Sequence, residues 1–232
     1  MYMKQIFLKN KFFYFFYKIK KIFITKKKYH LAEFGEDIFV RRFFQNQKQG
    51  FYVDVGCYHP IKSSLTYHLY KKNWKGLNID LSAVSIDLFK FSRPKDLNIQ
   101  AAITDFDGKT FYYENSPINQ QNSLDDKGGN KIEVGAYKLN TLLEKYNINS
   151  IDYLNIDVEG AEYKVISSIN FEKYNPKLIS IEFNNYEIEE LMNSEIHKYM
   201  KKNNYQLISK FGVTCFYVSN KDVNLVHKIM SL

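Results

Sequence analysis

Two cysteines in 232 residues, Cys57 and Cys215, are too few and too far apart for a disulfide framework, and no CxxC or other thiolate metal spacing occurs. That usage implies a reducing, cytoplasmic setting. Long apolar runs are missing as well. The longest in the N-terminal arm, Phe12 to Tyr17, is six residues, too short for a bilayer span or a signal-peptide core, and no small-residue cleavage site follows it. Acidic side chains are absent from one place: residues 1–28 hold nine lysines and no Asp or Glu. Of the 33 Lys and Arg, that leaves 24 facing 25 Asp and Glu, so the formal charge of +8 belongs to the arm and the body is nearly neutral. A body without a basic stripe argues against a nucleic-acid partner.

Hydrophobic residues make up 45% and charged residues 25%, a globular composition, and 232 residues suit one α/β domain with a sizeable core. Nineteen Tyr and nineteen Phe accompany abundant Lys, Asn and Ile, the residues of A/T-rich codons, so the aromatic and basic flavour by itself identifies no ligand. Within the arm, Phe12, Phe15, Phe16, Ile19 and Phe23 fall on one helical face with Lys11, Lys18 and Lys21 beside it, while Phe13 and Tyr17 spoil the pattern on the far side. Two readings stand. Residues 1–28 form an interfacial helix resting on an anionic membrane leaflet, or a helix packed on the domain. The arm is taken as residues 1–29 and the domain as 30–232.

Beyond residue 50 strand-like and helix-like stretches alternate. Residues 51–55, 76–80, 98–103, 151–158 and 177–183 read as strands, and 106–113 as a turn leading into another. Residues 64–72, 83–91, 139–146, 161–169 and 187–202 read as helices, 115–131 as a polar loop, and 205–211 with 214–219 as a closing hairpin. This is an α/β order: a mostly parallel sheet covered on both faces, with ligands expected at the carboxyl ends of its strands.

The first strand end, "FYVDVGCYHP" (51–60), begins like a nucleotide-binding turn but lacks its glycines: after Gly56 come Tyr58 and Pro60. A pyrophosphate needs the glycine-rich turn for close backbone approach; a nucleoside without one does not. Twenty-six residues after Asp54, the second strand ends in Asp80, placed to accept from two ribose hydroxyls. The combination suits S-adenosylmethionine better than a dinucleotide. The other loaded strand end is "NIDVEGAEYKVI" (155–166), where Asp157 follows a buried strand and points toward the cleft. Glu162 lies in the first turn of the next helix, a capping position.

"FGEDIFVRRFF" (34–44), "FYVDVGCYHP", "GLNID" (76–80) and "NIDVEGAEYKVI" resemble the successive signatures of FkbM-type S-adenosylmethionine-dependent methyltransferases. The resemblance runs from about His30 to Asn184, and "DVEGAE" after a strand is its most specific element. It implies a Rossmann-like class I fold, a seven-stranded mostly parallel sheet with an antiparallel terminal hairpin. It also implies methylation of a hydroxyl, often on a sugar, as in surface-glycan or nucleotide-sugar biosynthesis. By the same resemblance Asp54, Gly56 and Cys57 line the methionine end, Asp80 holds the ribose, and Ala102 and Ile103 flank the adenine; Leu81 and Asp157 are further cofactor-binding candidates. Where many members carry an alanine–asparagine pair and a second glycine, this chain has Cys57, Tyr58, His59 and Pro60, and the upstream Ser-Gln is Ala32-Glu33.

Methylation of an alcohol calls for positioning and a proton acceptor. His59, on the cofactor loop, is one candidate base and Glu159 another, with Asp157 beside it. A third arrangement is a Mg²⁺ site of Asp157, Glu182 and Asn184, all at neighbouring strand ends. His30, His68, His197 and His227 show no ligand spacing. Two further classes stand beside the enzyme acting on a small molecule or glycan: an RNA methyltransferase that uses the lysine arm, and a non-catalytic scaffold with a degenerate cofactor fold.

Overall fold

The computed structural model describes residues 10–28, 32, 34–114, 124, 129–185 and 187–230, with backbone alone for 23–28 and 227–230. Residues 1–9 of the arm, His30, Glu33, most of the expected 115–131 loop and the side chains of Phe23 and His227 lie outside the described residues. The strands are β1 (Phe51–Val55), β2 (Lys75–Asp80), β3 (Leu97–Gln100), β4 (Ala102–Ile103), β5 (Gly108–Glu114), β6 (Asn130–Tyr137), β7 (Tyr153–Ile156), β8 (Leu178–Glu182), β9 (Tyr205–Phe211) and β10 (Thr214–Ser219). The helices are α1 (Lys11–Lys28), α2 (Glu36–Phe43), α3 (Tyr67–Lys71), α4 (Ala83–Ser92), α5 (Leu139–Lys145), α6 (Glu162–Ser167), α7 (Phe171–Tyr174), α8 (Ile188–Asn193), α9 (Glu195–Lys202) and α10 (Val223–Met230).

The main sheet has seven strands in the order β3-β2-β1-β7-β8-β10-β9. β3, β2, β1, β7 and β8 pair in parallel, and β10 runs antiparallel to both β8 and β9. This is the expected Rossmann-like sheet with its reversed hairpin. Period-two alternation explains how both faces are buried. Val53, Val55, Leu154, Ile156, Ile179 and Ile181 point into one core with the leucines of α5 and Val165 and Ile166 of α6. Tyr52, Tyr153, Leu178 and Phe216 point the opposite way, against Val40 and Phe43 of α2 and the chain's single tryptophan, Trp74.

Several elements depart from the sequence expectation. The strand read over 98–103 breaks at Ala101: β3 stays in the main sheet, while β4 joins a three-stranded sheet of order β4-β6-β5. The helix read from 64 to 72 shrinks to α3, because residues 61–66 form a loop held by side chains: Thr66 donates to Asp54 (2.7 Å) and Ser64 accepts from Arg93 (2.8 Å). The helix read from 187 to 202 divides at Ser194, whose extended ψ of 154° ends α8 and whose hydroxyl caps α9 by accepting from His197 N–H at 3.1 Å.

α1 lies on α4. Tyr14 donates to Asp87 at 2.8 Å, and Ile22 is buried with Ile61 and Leu88. Burial of one isoleucine contributes about 1.5–3 kcal/mol, enough to seat the helix while leaving most of its surface open.

Candidate active site

The carboxyl ends of β1, β2, β7 and β8, with β4 beside them, enclose a cleft of about 330 Å³, a volume within the range of small-molecule sites. Gly56 fixes its floor. At φ +80° it turns the chain so that its own N–H and that of Cys57 both donate to the Ile79 carbonyl (2.9 and 3.1 Å). The backbone carbonyl of Asp157 passes so close that a Cβ on residue 56 would sit 1.6 Å from the oxygen. Only glycine fits.

Asp80 stands at the end of β2. One carboxylate oxygen accepts from Tyr58 N–H and the other from Ser82 N–H, both at 2.8 Å. Burial pushes its pKa up to about 6, against the pull of those amides. The Leu81 amide is a third backbone partner. The carboxylate also lines the cleft wall, where an acceptor faces any hydroxyl bound there. Leu81, Ala102 and Ile103 line the same wall, and Leu124 borders it. The residues present therefore fit a nucleoside: an anchored carboxylate acceptor, an apolar slot and one tight glycine contact.

Asp54 and Cys57 are set lower, on an adjoining cavity of about 50 Å³ that shares Gly56, Tyr58 and Asp157 with the cleft. The Asp54 carboxylate accepts from Thr66 Oγ1 and from Asn155 Nδ2 (2.9 Å). Burial raises its pKa, while those two hydrogen bonds and Arg93 oppose the rise. Cys57 packs on Ile86 and Phe89, and burial lifts its thiol well above the usual range.

At the β7 and β8 ends, carboxylate oxygens of Asp157, Glu159 and Glu182 lie within 4.8 Å of one another. Asp157 lines the open cleft, yet protein crowds its carboxyl. That loss of hydration, followed by the negative charge of Glu182, holds its pKa well above normal, and burial raises Glu182 too. Asn184, the remaining expected metal ligand, hydrogen-bonds Glu182. One buried oxygen of Glu182, Oε2, has no hydrogen-bond partner. Glu162 instead caps the turn, accepting from Gly160 N–H at 3.0 Å.

His59 does not reach the cleft. Its Nδ1 accepts from Ile61 and Lys62 N–H (3.1 and 3.0 Å), and its ring is 2% exposed beside Lys21 of α1. Burial, aided by Lys62, Lys21 and Arg93, pushes its pKa down to about 4. Of the two candidate bases, the structure thus sets the His59 imidazole against the turn around Pro60, outside the cleft that Glu159 lines. His68 faces Asp37 at 3.3 Å and His197 faces Tyr217 at 3.3 Å, both away from the cleft.

Sequence reasoning missed Arg93. It is fully buried, donates twice to the Pro60 carbonyl and also to Ser64, Thr66 and Tyr52, and lies 4.8 Å from the Phe89 ring centre. It thus ties the loop after Gly56 to the Asp54 network. Phe34 and Glu36, which border the cleft beside Tyr58, were quoted for a resemblance without a role. Backbone strain gathers here as well. Tyr58, Ser63 and Glu159 take φ of +50°, +53° and +57°, and all three line the cleft. Left-handed non-glycine residues are uncommon and concentrate at functional sites.

A family model described as the Methyltransferase FkbM domain matches residues 54–207, which span β1 to β9 and contain Gly56, Asp80 and the three cleft carboxylates. No curated protein and no solved structure matches the chain.

Proposed function

The chain belongs to the FkbM methyltransferase family, and from that premise we propose that it transfers a methyl group from S-adenosylmethionine to a hydroxyl of a sugar in glycan or nucleotide-sugar biosynthesis. The observation that carries this reading is Asp80, whose carboxylate is anchored by backbone amides and lines a cleft with one glycine contact among the described residues. S-adenosylmethionine bound there supplies an electrophilic methyl on a sulfonium.

Asp80 would accept from the ribose hydroxyls, Leu81, Ala102 and Ile103 would hold the adenine, and Gly56, Asp54 and Cys57 would take the methionine end. On the acceptor side, Phe34 and Tyr58 offer aromatic surface to a sugar ring, and the carboxylates offer acceptors to its hydroxyls. Glu159, held at the cleft by its left-handed backbone, takes the proton of the attacking hydroxyl. Asp157 and Glu182, whose side chains hydrogen-bond each other, orient the acceptor. The same oxygens suit a hard divalent ion: Asp157, Glu159 and Glu182 would hold Mg²⁺, with Asn184 on Glu182, and the ion would lower the pKa of the acceptor hydroxyl.

The test is calorimetric titration with S-adenosylhomocysteine on wild type and Asp80→Ala, followed by labelled methyl transfer to nucleotide sugars, with RNA as comparison and with and without EDTA. Micromolar binding lost in Asp80→Ala, and label on a sugar, are expected. Absence of binding to wild type would leave only the scaffold reading. Label on RNA alone would replace the acceptor.

A further inference from the structure

The seating of α1 leaves an aromatic face uncovered. Tyr14, through Asp87, and Ile22, through Ile61 and Leu88, fix one side of the helix to the domain. On the remaining surface Phe12 is 65% exposed, Phe16 52%, Phe15 46% and Phe13 45%. Phe12 and Phe16 lie edge to face at 4.9 Å, and Phe15 meets Phe91 of α4, itself 42% exposed, at 6.2 Å. The aromatic face therefore continues from the arm onto the domain. Exposed phenylalanines this close together mark an interaction site rather than ordinary surface.

Charge identifies the occupant. Lys11, Lys20 and Lys21 of α1 are exposed, and no acidic residue occurs anywhere in residues 1–28. Apolar rings flanked on the arm by lysines match a surface that is apolar beneath and anionic on top, and the nearby Asp87 of α4 is engaged by Tyr14 and paired with Lys90. No helix among the described residues is long and apolar enough to cross a membrane, so the fit is to a helix lying in the interface plane. We propose that Phe12, Phe13, Phe15 and Phe16 of α1, together with Phe91, form a docking face for an anionic lipid bilayer, with the flanking lysines as its electrostatic part. Because Ile22 packs on Ile61, the docked helix also bears on the loop that follows Tyr58, beside the cleft.

The full chain is floated with phosphatidylcholine vesicles containing or lacking phosphatidylglycerol, alongside F12S/F16S and K11Q/K20Q variants. The fold of each variant is checked by a urea melt on Trp74 fluorescence. Wild type is expected on the anionic vesicles only, with binding that weakens as salt rises. The phenylalanine variant should bind about tenfold or more weakly, and the lysine variant should bind more weakly at low salt with a reduced salt dependence. No flotation with anionic vesicles at low salt overturns the proposal, as does flotation unchanged in F12S/F16S. Sedimentation showing a dimer that F12S/F16S dissociates also overturns it, because a second copy then covers the face.

Discussion

Replacement of Gly56 by alanine tests whether the site floor is as tight as it looks. The added Cβ would stand 1.6 Å from the Asp157 carbonyl oxygen and 2.6 Å from its carbon, where real Cβ atoms essentially never approach within 3.0 Å. The ends of β1 and β7 would have to part by about 1.4 Å. That movement breaks the Asp157 N–H to Val55 carbonyl hydrogen bond of 2.9 Å and loosens the packing of Val55 on Ile156. The obstacle is backbone, so no rotamer change relieves it. A left-handed alanine costs about 1–2 kcal/mol, a lost backbone hydrogen bond about 1, and the disturbed packing about 1–2 more. The expected destabilisation is therefore about 3–5 kcal/mol.

Gly35 supplies the control. It has the same φ of +80°, but its Cβ would meet only the Ile38 Cδ1 at 3.7 Å, an ordinary contact. Gly35→Ala should cost only the conformational part, about 1–2 kcal/mol. Urea unfolding followed by the fluorescence of buried Trp74 measures both variants in one assay. If the two lose equal stability, or if Gly56→Ala stays within about 1 kcal/mol of wild type, the close approach of β1 and β7 is wrong, and with it the argument for a glycine-only floor.

Asp80, with its pKa near 6, makes cofactor binding pH-dependent: the ionised fraction rises about tenfold between pH 5 and pH 7, and S-adenosylhomocysteine affinity should rise with it in calorimetry. Stability moves oppositely. The folded carboxyl holds its proton to higher pH than the unfolded one, so this group's contribution falls as pH rises from about 4 to about 6, by roughly 3 kcal/mol at most. A binding curve flat over pH 5–7 would remove Asp80 from the ribose contact. Arg93→Lys should destabilise by about 3–5 kcal/mol in urea, because one ammonium cannot replace a guanidinium that bonds Pro60, Ser64, Thr66 and Tyr52 together. A loss under 1 kcal/mol would mean that the network is dispensable. His59→Asn, whose side-chain oxygen can accept the same two amides, should keep turnover within about threefold of wild type. A fall of a hundredfold or more would restore His59 as the base.

The parts of this fold that were legible from sequence are those where one residue's neighbours in the chain decide its state. Val53 and Val55, Leu154 and Ile156, and Ile179 and Ile181 alternate with residues of the other face, so β1, β7 and β8 could be read locally. Asp80 stands out at the end of β2 because strand ends and their order follow from that reading. What local pattern could not reveal was settled at long range. Residues 64–66 have helical character, but Asp54 and Arg93 claim their hydroxyls and hold them as a loop. Ala101 ends β3 because β4 finds β6 more than thirty residues later. His59 looked like a base on chemistry alone. Only the packing of α1 and the two amides on Nδ1 show that it faces inward.

The missing glycines of residues 57–60 have a physical explanation in Arg93. A phosphate-binding loop stays open because its backbone amides must face the ligand, and glycine allows that approach. In this loop the amides are directed elsewhere: those of Gly56 and Cys57 to Ile79, that of Tyr58 to Asp80, and those of Ile61 and Lys62 to His59. The Pro60 carbonyl is taken by Arg93. Tyr58 can therefore adopt a left-handed backbone that would otherwise invite glycine, because bonds on both sides hold it there. With Tyr58 N–H used to fix Asp80, the loop presents a carboxylate acceptor to the cleft in place of amide donors. That favours hydroxyls over phosphates, the preference a nucleoside cofactor without pyrophosphate requires.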